Sequence, residues 1–331
     1  MGVFFRSDEM SKAKSGKFTR TFSQKLQKKL ELDEHRELWD KLKNDKDVFP
    51  AIRKEEMHFY HKGGRLFGFD NRGFRTNVKY TLVLPAGSKS KGDIFKKDLA
   101  EIQTIESFTE NYDGMKSLVD RYSKSESNEV SKLYEKWSYR KWSSGDIVVL
   151  DIEASFSADG QEVGEDEEDR SQDRIDLVLF DPLGEDASGE KPELLFVEVK
   201  LFSNPEIRVK SDRAKPEEGP EVVGQINRYR NQLETRKVEI LKAYEEYIRE
   251  VNKLFGLELP QPKEVIPNVL LLIVGFNEDQ NKKDSQLSTI KANLKDVCCL
   301  SRGGMQINKN STLKKWFNHV RKWRAPRDGE I

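Results

Sequence analysis

Asp176, Glu198 and Lys200 have the types and spacing for chemistry on a phosphodiester. Asp176 lies near the start of RIDLVLFD (174–181), and Glu198-Val199-Lys200 lies inside ELLFVEVKLF (193–202). Both runs are apolar and read as strands. Side chains alternate along a strand, so Glu198 and Lys200 project from one face while Val197 and Val199 project from the other. If the two strands are neighbours, Asp176 joins Glu198 on that face. Two carboxylates ~4 Å apart repel by roughly 4 kcal/mol at an effective dielectric of 20. A divalent cation removes that cost, and oxygen ligands with partial hydration suit Mg²⁺ or Mn²⁺. A cation so held activates water and screens phosphate charge, which hydrolysis of a phosphodiester needs. Lys200 can orient that water, stabilise the transition state or, with a depressed pKa, accept a proton. A lysine between apolar neighbours in mid-strand is costly unless paired. The plainer alternative is a cross-strand ion pair on a solvated face, which contributes about 0–1 kcal/mol.

The elements that must position these residues are legible in outline. IVVLDIEASFSA (147–158) is a strand, followed by an acidic loop at 159–173 and the two strands above. Residues 222–255 carry one long helical pattern through Val223, Ile226, Leu233, Ile240, Tyr244, Ile248, Val251 and Phe255. NVLLLIVGF (268–276) is almost wholly apolar, as a central strand is. A shorter helix and a basic C-terminal helix close the chain. Upstream, residues 94–140 read as mostly helical, and Ser123 with Glu126 has capping-box spacing. The second half therefore runs helix, three strands, helix, strand.

Residues 125–277 resemble the PD-(D/E)XK nuclease superfamily through Ile175-Asp176, Glu198-Val199-Lys200 and the helical run Gln225-Ile226-Asn227-Arg228-Tyr229. The Gln225…Tyr229 spacing is similar to the RecB-like and Cas4-like branches. The resemblance implies an α/β fold: a restriction-endonuclease-like mixed sheet flanked by helices. It also implies Mg²⁺ or Mn²⁺ on Asp176 and Glu198, with the Val199 carbonyl as a further ligand. Lys200 would be the catalytic lysine, and Gln225 would position water, metal or phosphate. Ile175 stands where the motif has proline. The helical acid that many members supply is not evident; Glu126, Glu129, Asp151 and Glu153 are the candidates, and the sequence does not choose among them.

Outside that core, residues 1–20 are polar and basic and read as a flexible tail. Residues 21–120 read as an accessory region and 121–331 as the nuclease-like domain. Within the accessory region, leucines at helical spacing run to about Asn44, and residues 45–85 read as a small antiparallel sheet. Lys62-Gly63-Gly64 and Asn71-Arg72-Gly73 supply its turns. His58 and His61 do not share a strand face, so that hairpin is a poor metal site. Leu313, Trp316, Phe317, Val320 and Trp323 form an apolar stripe at the C-terminus that reads as core rather than as a base-stacking platform, while Lys314, Lys315, Arg321, Lys322, Arg324 and Arg327 give a basic face for phosphate contact.

Lys plus Arg and Asp plus Glu balance at 58 each over 331 residues, so net charge does not announce a nucleic-acid partner. The adjacent Cys298 and Cys299 and the four histidines form neither a disulfide framework nor a zinc knuckle pattern. There is no signal-peptide pattern, no myristoylation pattern and no apolar run of membrane length, so the expected location is cytoplasmic. The expected function is Mg²⁺-dependent cleavage of DNA, with RNA less favoured because no stacking motif is evident. By analogy of layout, the setting is bacterial or phage defence, restriction or repair. The rival is a catalytically inactive nuclease-fold protein that binds nucleic acid or protein. A homo-oligomer or a partner subunit is left open.

Overall fold

A computed structural model of the chain describes residues 18–81, 93–95, 108–123, 125–156, 174–186, 189–209 and 219–323. The acidic loop at 159–173 and most of the basic tail lie outside these residues.

The first half is built around aromatic side chains. Helices α1 (Gln24–Leu30) and α2 (Asp33–Asn44) bury Leu26, Leu30, Leu38, Trp39 and Leu42. They precede an antiparallel meander, β1 (Phe49–Arg53), β2 (Glu56–His61), β3 (Gly64–Asp70), β4 (Gly73–Asn77) and β5 (Asp93–Phe95), paired in that order. The expected antiparallel sheet is present, but β5 falls where helix is expected. The β2–β3 turn uses Lys62 and Gly63 at φ 48 and 84°, the two positive angles of a tight hairpin. Gly63 has a second reason to lack a side chain: a Cβ there would lie 2.6 Å from the Ser127 carbonyl oxygen. Ser127 belongs to the second of two helices, α3 (Tyr112–Tyr122) and α4 (Ser125–Trp137). The Gly63 amide also donates to the Tyr134 hydroxyl at 2.7 Å, so the hairpin tip seats α4.

The second half is a mixed sheet flanked by helices. Strands β6 (Val148–Ser155) and β7 (Arg174–Asp181) are antiparallel, and a two-stranded ribbon of β8 (Glu185–Asp186) and β9 (Gly189–Glu190) leads to β10 (Glu193–Leu201), antiparallel to β7. Helices α5 (Glu221–Thr235) and α6 (Lys237–Phe255) then cross to β11 (Glu264–Val265) and β12 (Leu270–Val274), both parallel to β10. Helix α7 (Gln286–Asn293), strand β13 (Cys299–Ser301) and helix α8 (Asn310–Lys322) complete the chain, and the sheet order is β13-β12-β10-β7-β6. The single periodic run at 222–255 is two helices because Arg236 takes φ −113°, ψ 17° and its guanidinium reaches the Phe156 carbonyl at 3.2 Å.

Among the described residues the first and second halves of the chain share one continuous hydrophobic core. Phe49 packs on Tyr134 and Tyr139, and Trp39 packs on Phe255. Phe18 and Arg20, expected in a loose tail, are buried: Phe18 stacks on Phe156, and Arg20 pairs with Asp151 at 3.1 Å. Among the described residues no helix is long and apolar enough to cross a membrane.

Candidate functional site

The register of the mixed sheet sets a row of acids. Leu177 faces Val197 in the β7–β10 ladder, and the regular pairing ends there, one step before Asp176 would face Glu198. Beyond that point a side chain takes over from the ladder: the Val199 amide donates to Asp176 Oδ2 at 2.7 Å. On the other side, Ile152 faces Leu177 and Ala154 faces Ile175, so Glu153 falls opposite Asp176. Glu198 in turn faces Leu271 of β12. Glu153, Asp176 and Glu198 thus follow one another across three adjacent strands about 4.8 Å apart.

Their charges act on one another. Burial and then the neighbouring Glu198 and Glu153 hold the Asp176 carboxyl well above the usual range, only partly offset by the Val199 amide. Burial pushes Glu198 up to about 7; Lys200 opposes that rise, while Glu126 and Glu153 add to it. Glu198 Oε1 pairs with Lys200 Nζ at 3.0 Å, and Oε2 is buried with no hydrogen-bond partner among the described residues. Lys200 also pairs with Glu206 Oε2 at 2.8 Å. Burial lowers the lysine's pKa, but Glu198 and Glu206 raise it by more, and the net shift is upward. Lys200 is therefore a fixed cation, and the proton-accepting role considered for it requires the opposite shift.

The four acids left open by the sequence separate into different environments. Glu126 is at the site, but not as part of a capping box: Ser123 Oγ donates to the Asp120 carbonyl, and Glu126 Oε2 accepts from the Leu201 amide at 3.0 Å and Asn204 Nδ2 at 3.3 Å. That carboxylate ties α4 to the end of β10, just past Lys200. Glu153 is at the site too, held by Arg174 at 3.2 Å. Its φ of 50° is left-handed, a conformation that costs a non-glycine residue about 1–3 kcal/mol. Glu129 is turned elsewhere, pairing with Lys132 and accepting from the Met305 amide at 3.4 Å. Asp151 is neither a ligand nor an exposed strand-edge residue. It is fully buried between Arg20 and Arg53, at 3.1 and 2.7 Å, and accepts from Tyr244 at 3.0 Å. Burial raises its pKa, but the two arginines overcome that and hold it low.

Gln225 spends its hydrogen bond on Tyr229, at 2.7 Å, rather than on Asp176, Glu198 or Lys200. Tyr229 donates to the Arg174 carbonyl at 2.6 Å, two residues before Asp176, so the Gln225–Tyr229 pair braces the strand that carries the acid. Glu206, Asn204 and Arg53, none of them among the sequence candidates, also reach this part of the sheet. Only Glu206 carried a signal: an acid in an Asn-Pro-Glu turn directly after the lysine's strand.

No family model, curated protein or solved structure matches this chain. What it can do therefore rests on the geometry. Among the described residues no group of three or more His, Cys, Asp and Glu side chains is set to hold a metal ion. The donor set nonetheless fits a hard cation that keeps much of its water: a carboxylate pair with raised proton affinity, and one buried carboxylate oxygen unsatisfied. His58 and His61 belong to separate networks, with Glu56 at 2.8 Å and the Asp47 carbonyl at 3.3 Å.

The apolar stripe of α8 is core, with Leu313, Trp316, Phe317 and Val320 buried. Arg321 pairs with Glu193 and Asp181, and Asn310 donates to the Ile147 carbonyl at 3.2 Å. These partners lie at the end of the sheet remote from the acids. Glu198 lies five residue steps along the strand from Glu193, about 17 Å.

Proposed function

We propose that this chain is a metal-dependent nuclease that hydrolyses DNA phosphodiester bonds. Asp176 and Glu198 would hold Mg²⁺ or Mn²⁺, and Lys200 would stand beside the scissile phosphate. The observation that carries this reading is Glu198: one oxygen is held by Lys200, and the other is buried without a partner next to a second carboxylate of raised proton affinity. A carboxylate pair left in that state destabilises the fold unless a proton or a cation joins it. Function is the usual reason such a cost persists.

A cation held there by Asp176 and Glu198 would supply a water of lowered pKa and positive charge for the phosphate oxygens. The chain's own residues do the rest. Lys200, kept charged by two carboxylates, offers positive charge where phosphate charge accumulates in the transition state. Glu126 fixes the backbone just after Lys200, and Asp176 fixes the Val199 amide just before it, so the Glu-x-Lys segment is held from both sides. Leaving aside the short strands β8, β9 and β11, the order α4, β6, β7, β10, α5–α6, β12 agrees with the helix, three strands, helix, strand layout read from the sequence, and the mixed sheet flanked by helices is what a restriction-endonuclease-like core would need.

The deciding experiment incubates the protein with plasmid, linear duplex, single-stranded DNA and RNA, with Mg²⁺ or Mn²⁺, beside Glu198→Ala. Cutting of DNA that chelator and Glu198→Ala both abolish supports the proposal. Equal cutting by the variant, or none of any substrate, ends it. Retardation of DNA without cleavage would favour the inactive binding module.

A further inference from the structure

Strand β6 ends the mixed sheet's strand order, and beyond its bridge from Val149 to Ser138 a side chain of the first-half meander reaches its main chain at Ile152 and Glu153. Arg53, the last residue of β1, is buried. It donates from Nη1 to Asp151 Oδ1 at 2.7 Å and from Nη2 to the Ile152 carbonyl at 2.5 Å, with a longer contact to the Glu153 carbonyl at 3.4 Å. Asp151 Oδ1 also accepts from the Ile152 amide at 2.8 Å. This grip falls on an irregular stretch. The β6–β7 register slips between Val149 and Asp151, and Glu153 takes its left-handed φ directly afterwards. A glutamate has no preference for that conformation, so its surroundings must impose it. Arg53 is the group that engages three consecutive residues there.

We propose that Arg53 is a positioning residue for the carboxylate site. It acts through the backbone of residues 151–153 to keep Glu153 opposite Asp176. The accessory meander would then serve to set the shape of the strand that borders the site. The planar guanidinium fork is what the task needs: one nitrogen takes the Asp151 carboxylate while another takes main-chain carbonyls. A lysine keeps the charge beside Asp151 but has no fork, so Arg53→Lys separates positioning from charge balance.

The inference rests on the metal-site reading above, so its test has two arms. Mn²⁺ affinity is measured for the wild type, Arg53→Lys, Glu153→Gln and the double variant, and amide exchange is followed over residues 150–156 in the same proteins. Arg53→Lys is expected to weaken Mn²⁺ at least 10-fold, within the range for groups that orient a metal site without ligating it. The double variant is expected to bind no more weakly than Glu153→Gln alone, because Arg53 acts through Glu153. Exchange at 150–156 is expected to quicken while β2–β4 stay protected. Unchanged affinity in Arg53→Lys, or losses that multiply in the double variant, overturn the proposal. If the wild type takes up no Mn²⁺, the metal reading fails by itself, and the exchange arm still judges Arg53: unchanged protection at 150–156 refutes its grip, and selective loss supports it. Should Arg53→Lys not fold, exchange in the wild-type protein decides: amides 150–156 as well protected as those of β7 support the grip, and amides 150–156 exchanging far faster than β7 refute it.

Discussion

Asp176 Oδ2 accepts the Val199 amide at 2.7 Å, at the point where the β7–β10 ladder gives way to side-chain contacts. One carboxylate thus does two jobs: it completes the sheet's hydrogen bonding and carries a charge that Glu198 opposes. Asparagine can do the first and not the second. Asp176→Asn should therefore fold, gain about 1 kcal/mol of stability at pH 8 without metal, and lose at least ~100-fold in DNA cleavage. Urea unfolding in chelator and a plasmid assay check the two halves. A destabilised variant would contradict the account.

The pH dependence of stability has a definite sign. The folded Glu198 carboxyl holds its proton up to about 7, against 4.5 for the free group. The unfolded chain therefore binds fewer protons across that window, and stability falls as pH rises from 4.5 to 7. A shift of that size corresponds to about 3 kcal/mol. The raised Asp176 carboxyl adds in the same direction. Mg²⁺ should offset the loss, so the gain in Tm on adding Mg²⁺ should be larger at pH 8 than at pH 5.5. Calorimetry with and without chelator tests this, and Glu198→Gln should flatten the curve.

Lys200 is held above its ordinary pKa by Glu198 and Glu206. It should stay charged across the working range, and no fall in rate between pH 8 and 10 should trace to it. Lys200→Met should abolish cleavage, and should also release two carboxylates from their partner. A pH–rate profile with a basic limb that Lys200→Arg moves would show instead that the lysine titrates.

Asp151 is expected to be a matter of stability. Asp151→Ala would leave Arg20 and Arg53 buried beside an empty position, a change of about 3–5 kcal/mol for a broken buried ion pair. Glu153→Gln, two residues on and half-buried, should change stability by less than ~1 kcal/mol. Denaturant midpoints of the two variants, with m compared, separate a fold residue from a site residue.

Helix α8 gives a negative expectation. Its partners lie at the Asp181–Glu193 end of the sheet. Reversing Lys315 and Lys322, both exposed, should leave the salt dependence of DNA binding at the acid site unaltered. A slope reduced by one or two phosphate contacts would put the substrate path along that helix.

The sequence by itself determined the strands at 174–181 and 193–201, the helix, three strands, helix, strand order, the hairpin at Lys62-Gly63 and the core role of the α8 stripe. Each is local: alternation, helical period and turn chemistry act between residues a few positions apart. Only the tertiary structure separated Glu126 and Glu153 from Glu129 and Asp151, because that depends on which strand lies next to which and on a one-residue register slip. It also gave Lys200 a second carboxylate partner and Asp151 two arginines, from 98 and 131 positions away. An acid's identity is written in the chain, but whether it meets a cation, an arginine or another acid is set by packing.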